Sequence, residues 1–219
     1  TFHYRGMGES PDGPDVEHSS TLYAHDLVDV LDRAGVEKAH LLGMGGMGAI
    51  VMMELAILVP ERVASAVLHE PWAVCDQSLR WQIETLRDLH EHVGFEAYQK
   101  AAAALCFTPR YIEENGQHIL DNIWVNLRDS KEAHMRFIHV CLEHDVRDRL
   151  ERLIAPTLLI TGDETDTMTG SRLLPELEDG IPNAESHVMV GAPHAFFESE
   201  ALVKDFDETV ASFMARHSM

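Results

Sequence analysis

The chain has 219 residues, 45% of them hydrophobic and 25% charged, and its 17 basic against 37 acidic side chains give a formal charge of -20. That length supports one good core and is short for two ordinary domains. The negative field repels nucleic-acid phosphates and anionic lipid, no apolar run is long enough to cross a bilayer, and no leader of the secretory type opens the chain, so neither nucleic acid nor membrane is expected as a partner and a cytoplasmic location is.

In chain order, Thr1 to Tyr4 is β-prone and runs into the glycine-rich turn Arg5-Gly6-Met7-Gly8-Glu9-Ser10-Pro11. His18 to Ala34 has helical spacing through Leu22, Leu27, Val30 and Leu31, with Gly35 as a suitable C′ residue. Ala39 to Leu42 predicts a short strand. Gly48 to Leu58 predicts a helix apolar nearly all round, hence buried, stopped by Pro60. Val63 to Leu68 predicts the next strand. From about residue 73 to 150 the pattern turns helical, over Leu79 to Val93, Glu96 to Cys106, Tyr111 to Leu127 and Lys131 to His144. Pro156 to Gly162 predicts a buried strand that ends in an acidic loop. A helix over Ser171 to Leu177, a strand over His187 to Val190 and a helix over Ser199 to Arg216 complete the chain. Strands alternating with helices at both ends argue for an α/β fold with a mostly parallel sheet flanked by helices. Its core is expected from 1–72 and 151–219, with 73–150 inserted as a helical lid, and active residues belong at the carboxyl ends of the strands.

The run Leu41-Leu42-Gly43-Met44-Gly45-Gly46-Met47-Gly48-Ala49-Ile50 reads as strand, tight turn and helix, the shape of a nucleophile elbow in which glycine takes the place of serine. Gly191-Ala192-Pro193-His194 has the form of a loop that delivers a histidine. Together with Arg5-Gly6-Met7-Gly8-Glu9-Ser10, Pro60-Glu61-Arg62-Val63 and the stretch from Asp145 to Leu158, these motifs stand in the order found in the α/β-hydrolase superfamily, which the chain resembles over nearly its whole length. Met47-Gly48-Ala49-Ile50-Val51 and Arg110-Tyr111-Ile112-Glu113-Glu114-Asn115 look closest to its lid-bearing enol-lactonase and aminoacrylate-hydrolase types.

The resemblance implies a set of roles. His194 becomes the general base. Asp166 is the chosen acid partner, with Glu70 after the preceding strand as the alternative. The position three residues past the glycine, where the family's acid usually stands, is Thr165 here; Asp166 is one beyond it and Asp163 two before. Counting from the strand puts the vacant nucleophile position at Gly45, and counting back from Pro60 puts it at Gly46, which is favoured. The Met47 N–H becomes an oxyanion donor. Trp72, Trp81, Phe107 and Trp124 are candidates to line a pocket under the lid or to form lid core, and Trp72 is the substrate-binding candidate. The strand like Thr1 to Tyr4 is the fourth in that family, so either it pairs directly with the strand at Ala39, or another chain fills the gap, or the chain is truncated.

Cys75, Cys106 and Cys141 form no CxxC pair, and His90 and His92 do not share a helix face, so no metal and no cofactor are expected. The implied activity is hydrolysis of a small ester, lactone or carbamate-like substrate, with the His-acid pair activating water. The alternatives are an inactive homologue that binds a small ligand or assembles as a homo-oligomer, and a hydrolase that has lost its serine by mutation.

Overall fold

The computed structural model describes residues 3–13, 16–128 and 130–217. In chain order its elements are α1 (Ser20–Arg33), β1 (Ala39–Gly43), α2 (Gly45–Leu58), β2 (Val63–His69), α3 (Gln77–Asp88), α4 (Phe95–Cys106), α5 (Pro109–Asn122), α6 (Val125–Arg128), α7 (Lys131–Glu143), β3 (Thr157–Gly162), α8 (Leu174–Gly180), β4 (Ala184–Met189) and α9 (Glu200–Arg216). Among the described residues the sheet has the order β1-β2-β3-β4, and every neighbouring pair is parallel.

Alternation along the strands decides what covers each face. Leu41, Leu68 and Leu159 pack with α1, α2 and α8 through Tyr23, Leu27, Ile50, Met53, Leu174 and Leu177. Val67, Leu158 and Ile160 turn the other way, onto Phe206, Val210 and Phe213 of α9. Both faces are therefore covered, and β3 is buried at every position. α2 is apolar on all sides because it lies between the sheet, α1 and α7. Its close seat against β1 depends on Gly43, where an added Cβ would stand 2.6 Å from the Gly48 carbonyl oxygen.

Helix ends follow local chemistry. The Ser19, Asp76 and Thr108 side chains accept from the backbone N–H of Leu22, Leu79 and Tyr111, closing the first turns of α1, α3 and α5. The helical segment α3–α7 leaves the sheet after β2 and returns before β3. Its neck is held by the antiparallel bridge between Val74 and Asp145 and by the Val146 N–H donating to the Ala73 carbonyl at 3.0 Å.

Several elements depart from the expected ones. Thr1 and Phe2 lie outside the described residues. His3 and Tyr4 form no strand, because Tyr4 is stacked on Tyr23 with centroids 5.3 Å apart instead of pairing with β1. α2 begins at Gly45 rather than Gly48. The helix expected over Tyr111 to Leu127 is broken at Ile123, whose backbone is extended, and Trp124, whose φ of +60° does not continue a right-handed helix. The helix expected from Ser171 opens as a 3-10 turn and becomes α8 only at Leu174. β4 starts earlier than His187, at Ala184.

Candidate active site

Because all the strands run in one direction, their carboxyl ends share one edge of the sheet, and four loops open there. Gly45 follows β1, Glu70 follows β2, Asp166 lies in the loop after β3, and His194 lies in the loop after β4. The last two loops are tied together: the Gly191 N–H donates to Asp163 Oδ2 at 2.8 Å, and Gly191 takes a φ of +74° that glycine adopts without strain. Asp163 thus braces the histidine loop from the outside, while Thr165 Oγ1 and N–H donate to its Oδ1.

Asp166 and Glu70 both reach Nδ1 of His194. Asp166 Oδ2 lies 3.3 Å away in hydrogen-bond geometry, and Glu70 Oε2 lies 2.8 Å away as an ion-pair contact. The two acids are otherwise held very differently. Asp166 accepts from the backbone N–H groups of Met168 at 2.9 Å, Thr169 at 3.2 Å and Gly170 at 3.1 Å, and from the Thr169 hydroxyl at 2.7 Å. Burial works against its charge, but the histidine and these donors overcome that and hold its pKa far below the usual carboxylate range. Neither oxygen of Glu70 accepts a well-formed hydrogen bond, and the side chain is 1% exposed. Burial pushes its pKa up to about 7 against the pull of His194, with Asp166 adding to the rise. Burial alone would favour a neutral His194 ring; Glu70 first, then Cys106 and Asp166, reverse this and raise its pKa well above the ordinary value.

His69, the last residue of β2, was not singled out by its sequence context. Its Nδ1 accepts from the Gly45 N–H at 3.3 Å, which places the ring proton on Nε2, 3.6 Å from Glu70 Oε1. Burial lowers its pKa to about 3, with His194 pushing the same way. A chain of contacts therefore runs from the glycine turn through His69 and Glu70 to His194. Glu70, Asp166 and His194 each offer one potential ligand atom within 4.8 Å of the others. Asp166 already accepts from four donors besides the imidazole, so the grouping has the character of a proton-sharing cluster rather than a cation cage.

With Nδ1 engaged, the other ring nitrogen of His194 is left for a cavity of about 580 Å³ whose lining includes Gly45, Gly46, Met47, Glu70, Trp72 and His194. The imidazole and the glycine turn thus face one space. The turn itself corrects the favoured register. Gly45 is the residue with left-handed backbone, φ +62°, and an added Cβ there meets nothing within 4 Å. At Gly46 an added Cβ would stand 2.1 Å from the Trp72 ring. The left-handed, unobstructed backbone that an elbow requires is therefore at Gly45, and Trp72 leaves no room for a side chain at Gly46. The residue after the turn position is then Gly46 rather than Met47. Both belong to the first turn of α2, where N–H groups have no acceptor within the helix, and no side chain caps them. Trp72 and Trp124 line the cavity, Phe107 is buried beside it in the helical segment, and Trp81 is 66% exposed and not part of the lining. Cys75 is buried, with its thiol pushed up to about 11 by burial, and is absent from the lining; Cys106 lines the cavity and is raised to about 11 for the same reason.

Comparison with known proteins gives the family. The chain is 33% identical to the "Putative carbamate hydrolase RutD" of Azorhizobium caulinodans over 225 residues, covering 97% of this chain and 79% of that protein. The crystal structure of an alpha/beta hydrolase enzyme from a Medee basin deep-sea metagenome library superposes with a TM-score of 0.84 at 19% identity, covering 98% of this chain and 78% of that one. The enol-lactonase from Burkholderia xenovorans LB400 superposes with a TM-score of 0.80 at 20% identity, covering 97% and 78%. Residues 1–201 match the family model described as alpha/beta hydrolase fold, and with the parallel sheet and the loops at its carboxyl edge this makes the chain a member of the α/β-hydrolase fold family.

Proposed function

We propose that this chain is a hydrolase of small carbamate-like substrates, esters and lactones being the neighbouring chemistry, in which His194 activates water because the turn at Gly45 supplies no hydroxyl. The carrying observation is the placement of His194: Nδ1 is fixed by Asp166 at 3.3 Å, and the ring opens onto the cavity that Gly45 floors. A carboxylate on Nδ1 selects the tautomer with a bare Nε2 and stabilises the imidazolium that forms when a proton is taken. The free N–H groups of Gly46 and Met47 at the start of α2 face developing negative charge on a carbonyl oxygen, and the helix dipole adds to their effect. The open space over Gly45 gives the water a place to stand. Trp72 and the other apolar walls hold the non-reacting part of the substrate. The name carried by the 33%-identical relative supports the carbamate class.

A panel of short carbamates, esters and lactones tests the reading. His194→Ala is expected to lower kcat/KM by about 100-fold or more, the usual contribution of a positioned base. Absence of turnover across the panel, or turnover unchanged in the variant, overturns it. Saturable binding of the same compounds without product would instead favour a non-hydrolytic binding protein, with the helical segment 73–150 acting as its cover.

A further inference from the structure

One acid suffices to orient His194, yet two carboxylates reach the same nitrogen, and they are not equivalent. Asp166 is surrounded by four donors besides the imidazole. Glu70 has none, is buried, and sits at a φ of +59°. A left-handed backbone at a non-glycine residue is strained and persists where the surroundings enforce it. Glu70 stands between the end of β2 and Pro71-Trp72, with its Oε2 2.8 Å from His194 Nδ1. The titratable groups facing Glu70 are His69 from β2, Cys106 from the end of α4, Asp166 from the loop after β3 and His194 from the loop after β4. His69 stays neutral with its proton on Nε2, and Cys106 stays a thiol, so Glu70 shares its charge or its proton with His194 and Asp166.

We infer that Glu70 is a positioning residue that acts together with Asp166 rather than in its place, holding a proton within the Glu70–Asp166–His194 trio and thereby setting the pH at which His194 becomes a base. The inference rests on the reading of His194 as the base of the site. With Glu70 protonated, its carboxyl is neutral, Asp166 is the one charge facing Nδ1–H, beside the Thr169 hydroxyl at 3.3 Å, and Nε2 is bare. With Glu70 ionised, two negative charges face the ring and a proton is drawn onto the imidazole. Because Glu70 meets the ring at Nδ1, which already carries a proton, the two states exchange through solvent: Glu70 releases its proton, and Nε2 takes one up from the cavity side, so the charge on Glu70 sets the pH at which Nε2 is bare. Two negative charges beside one imidazole hold its proton more tightly than one does.

The test reads protonation directly. In protein labelled at histidine and at glutamate Cδ, NMR titration is expected to show one glutamate titrating near pH 7, against the ordinary range for exposed glutamates. Glu70→Gln should remove that signal and lower the His194 midpoint by about one unit or more. Asp166→Asn should also move the His194 midpoint but leave a titrating glutamate. If every glutamate titrates in the ordinary range, or if Glu70→Gln leaves the His194 midpoint in place, the inference is overturned. Should Glu70→Gln fail to fold, the glutamate titration of the unaltered protein decides alone. These outcomes do not depend on turnover, so a protein that hydrolyses nothing would overturn the proposed activity without touching this result.

Discussion

Two glutamates are equally withdrawn from water in this molecule, and they are treated in opposite ways. Glu54, in the middle of α2, is 2% exposed; Arg149 donates to its Oε2 and Oε1 at 2.9 Å each, and the hydroxyls of Ser20 and Thr21 donate at 3.2 Å. Ser20 in turn meets Nδ1 of His144 at 2.9 Å. Glu70 is 1% exposed and has only the imidazole of His194, with the ring of His69 farther off. A buried charge that is fully paired serves the fold, here by binding α1 and the return from the helical segment to α2. A buried carboxyl left without donors is a cost the fold does not need, and it stands where chemistry is expected. Burial marks both residues; satisfaction separates them.

The largest effect expected from breaking this contrast is at Arg149. Arg149→Ala leaves Glu54 buried and unpaired, and is expected to cost about 2–4 kcal/mol of stability, somewhat below the full value for a buried pair because Arg149 is partly solvated. Denaturant unfolding measures it, and a loss under about 1 kcal/mol would mean the pair is replaceable by water.

Acid should strike both regions. Burial lowers His144 beside Glu54 to about 4, His69 beside Glu70 to about 3 and, in the helical segment, His134 to about 3. Each folded pKa lies below its unfolded value, so the folded state binds fewer protons between the two. Stability should then rise with pH from about 3 towards 6.5, and fall on the order of 2–4 kcal/mol per histidine as pH drops through that window. Urea midpoints at pH 7 and pH 4 check the sign; His134→Gln should flatten the dependence.

Smaller effects sharpen the assignment of the turn. Gly46→Ser drives a Cβ into Trp72 and should cost about 1–3 kcal/mol as overpacking. Gly45→Ser meets open space and costs about 1–2 kcal/mol for its left-handed backbone. It places a hydroxyl in the cavity that His194 lines, and covalent labelling by a serine-directed phosphonate at position 45, absent from the Gly46→Ser protein, is the expected readout. The smallest effect belongs to Glu70→Gln. Neutralising a buried carboxyl that has no hydrogen-bond donor and only the His194 ring beside it should leave stability within about 1 kcal/mol of the parent or raise it. A large loss would place Glu70 with Glu54, as a structural charge.

The alternation of short apolar strands with helices, the all-round apolar helix from 48 to 58 and the histidine loop at 191–194 were legible from residue order, because each depends on local periodicity or on a turn within a few residues. Asp166 and Glu70 could be named as rivals for the same reason: each follows a strand end. That both meet one nitrogen could not be read, since their loops are 96 residues apart in the chain and are brought together only by β2 and β3 lying side by side. The register of the glycine turn was equally hidden. Gly45 and Gly46 are the same residue type, and only the Trp72 ring against one of them and the sign of φ at the other tell them apart.

Residue order by itself determined a parallel sheet with helices on both faces and put the reactive groups at one edge, because strand and helix periodicities are written locally and a parallel sheet gathers its carboxyl ends. Tertiary structure decided which buried acid is paired and which is bare, because the donors that satisfy Glu54 and Asp166, and that miss Glu70, come from segments whose distance in space no spacing along the chain records.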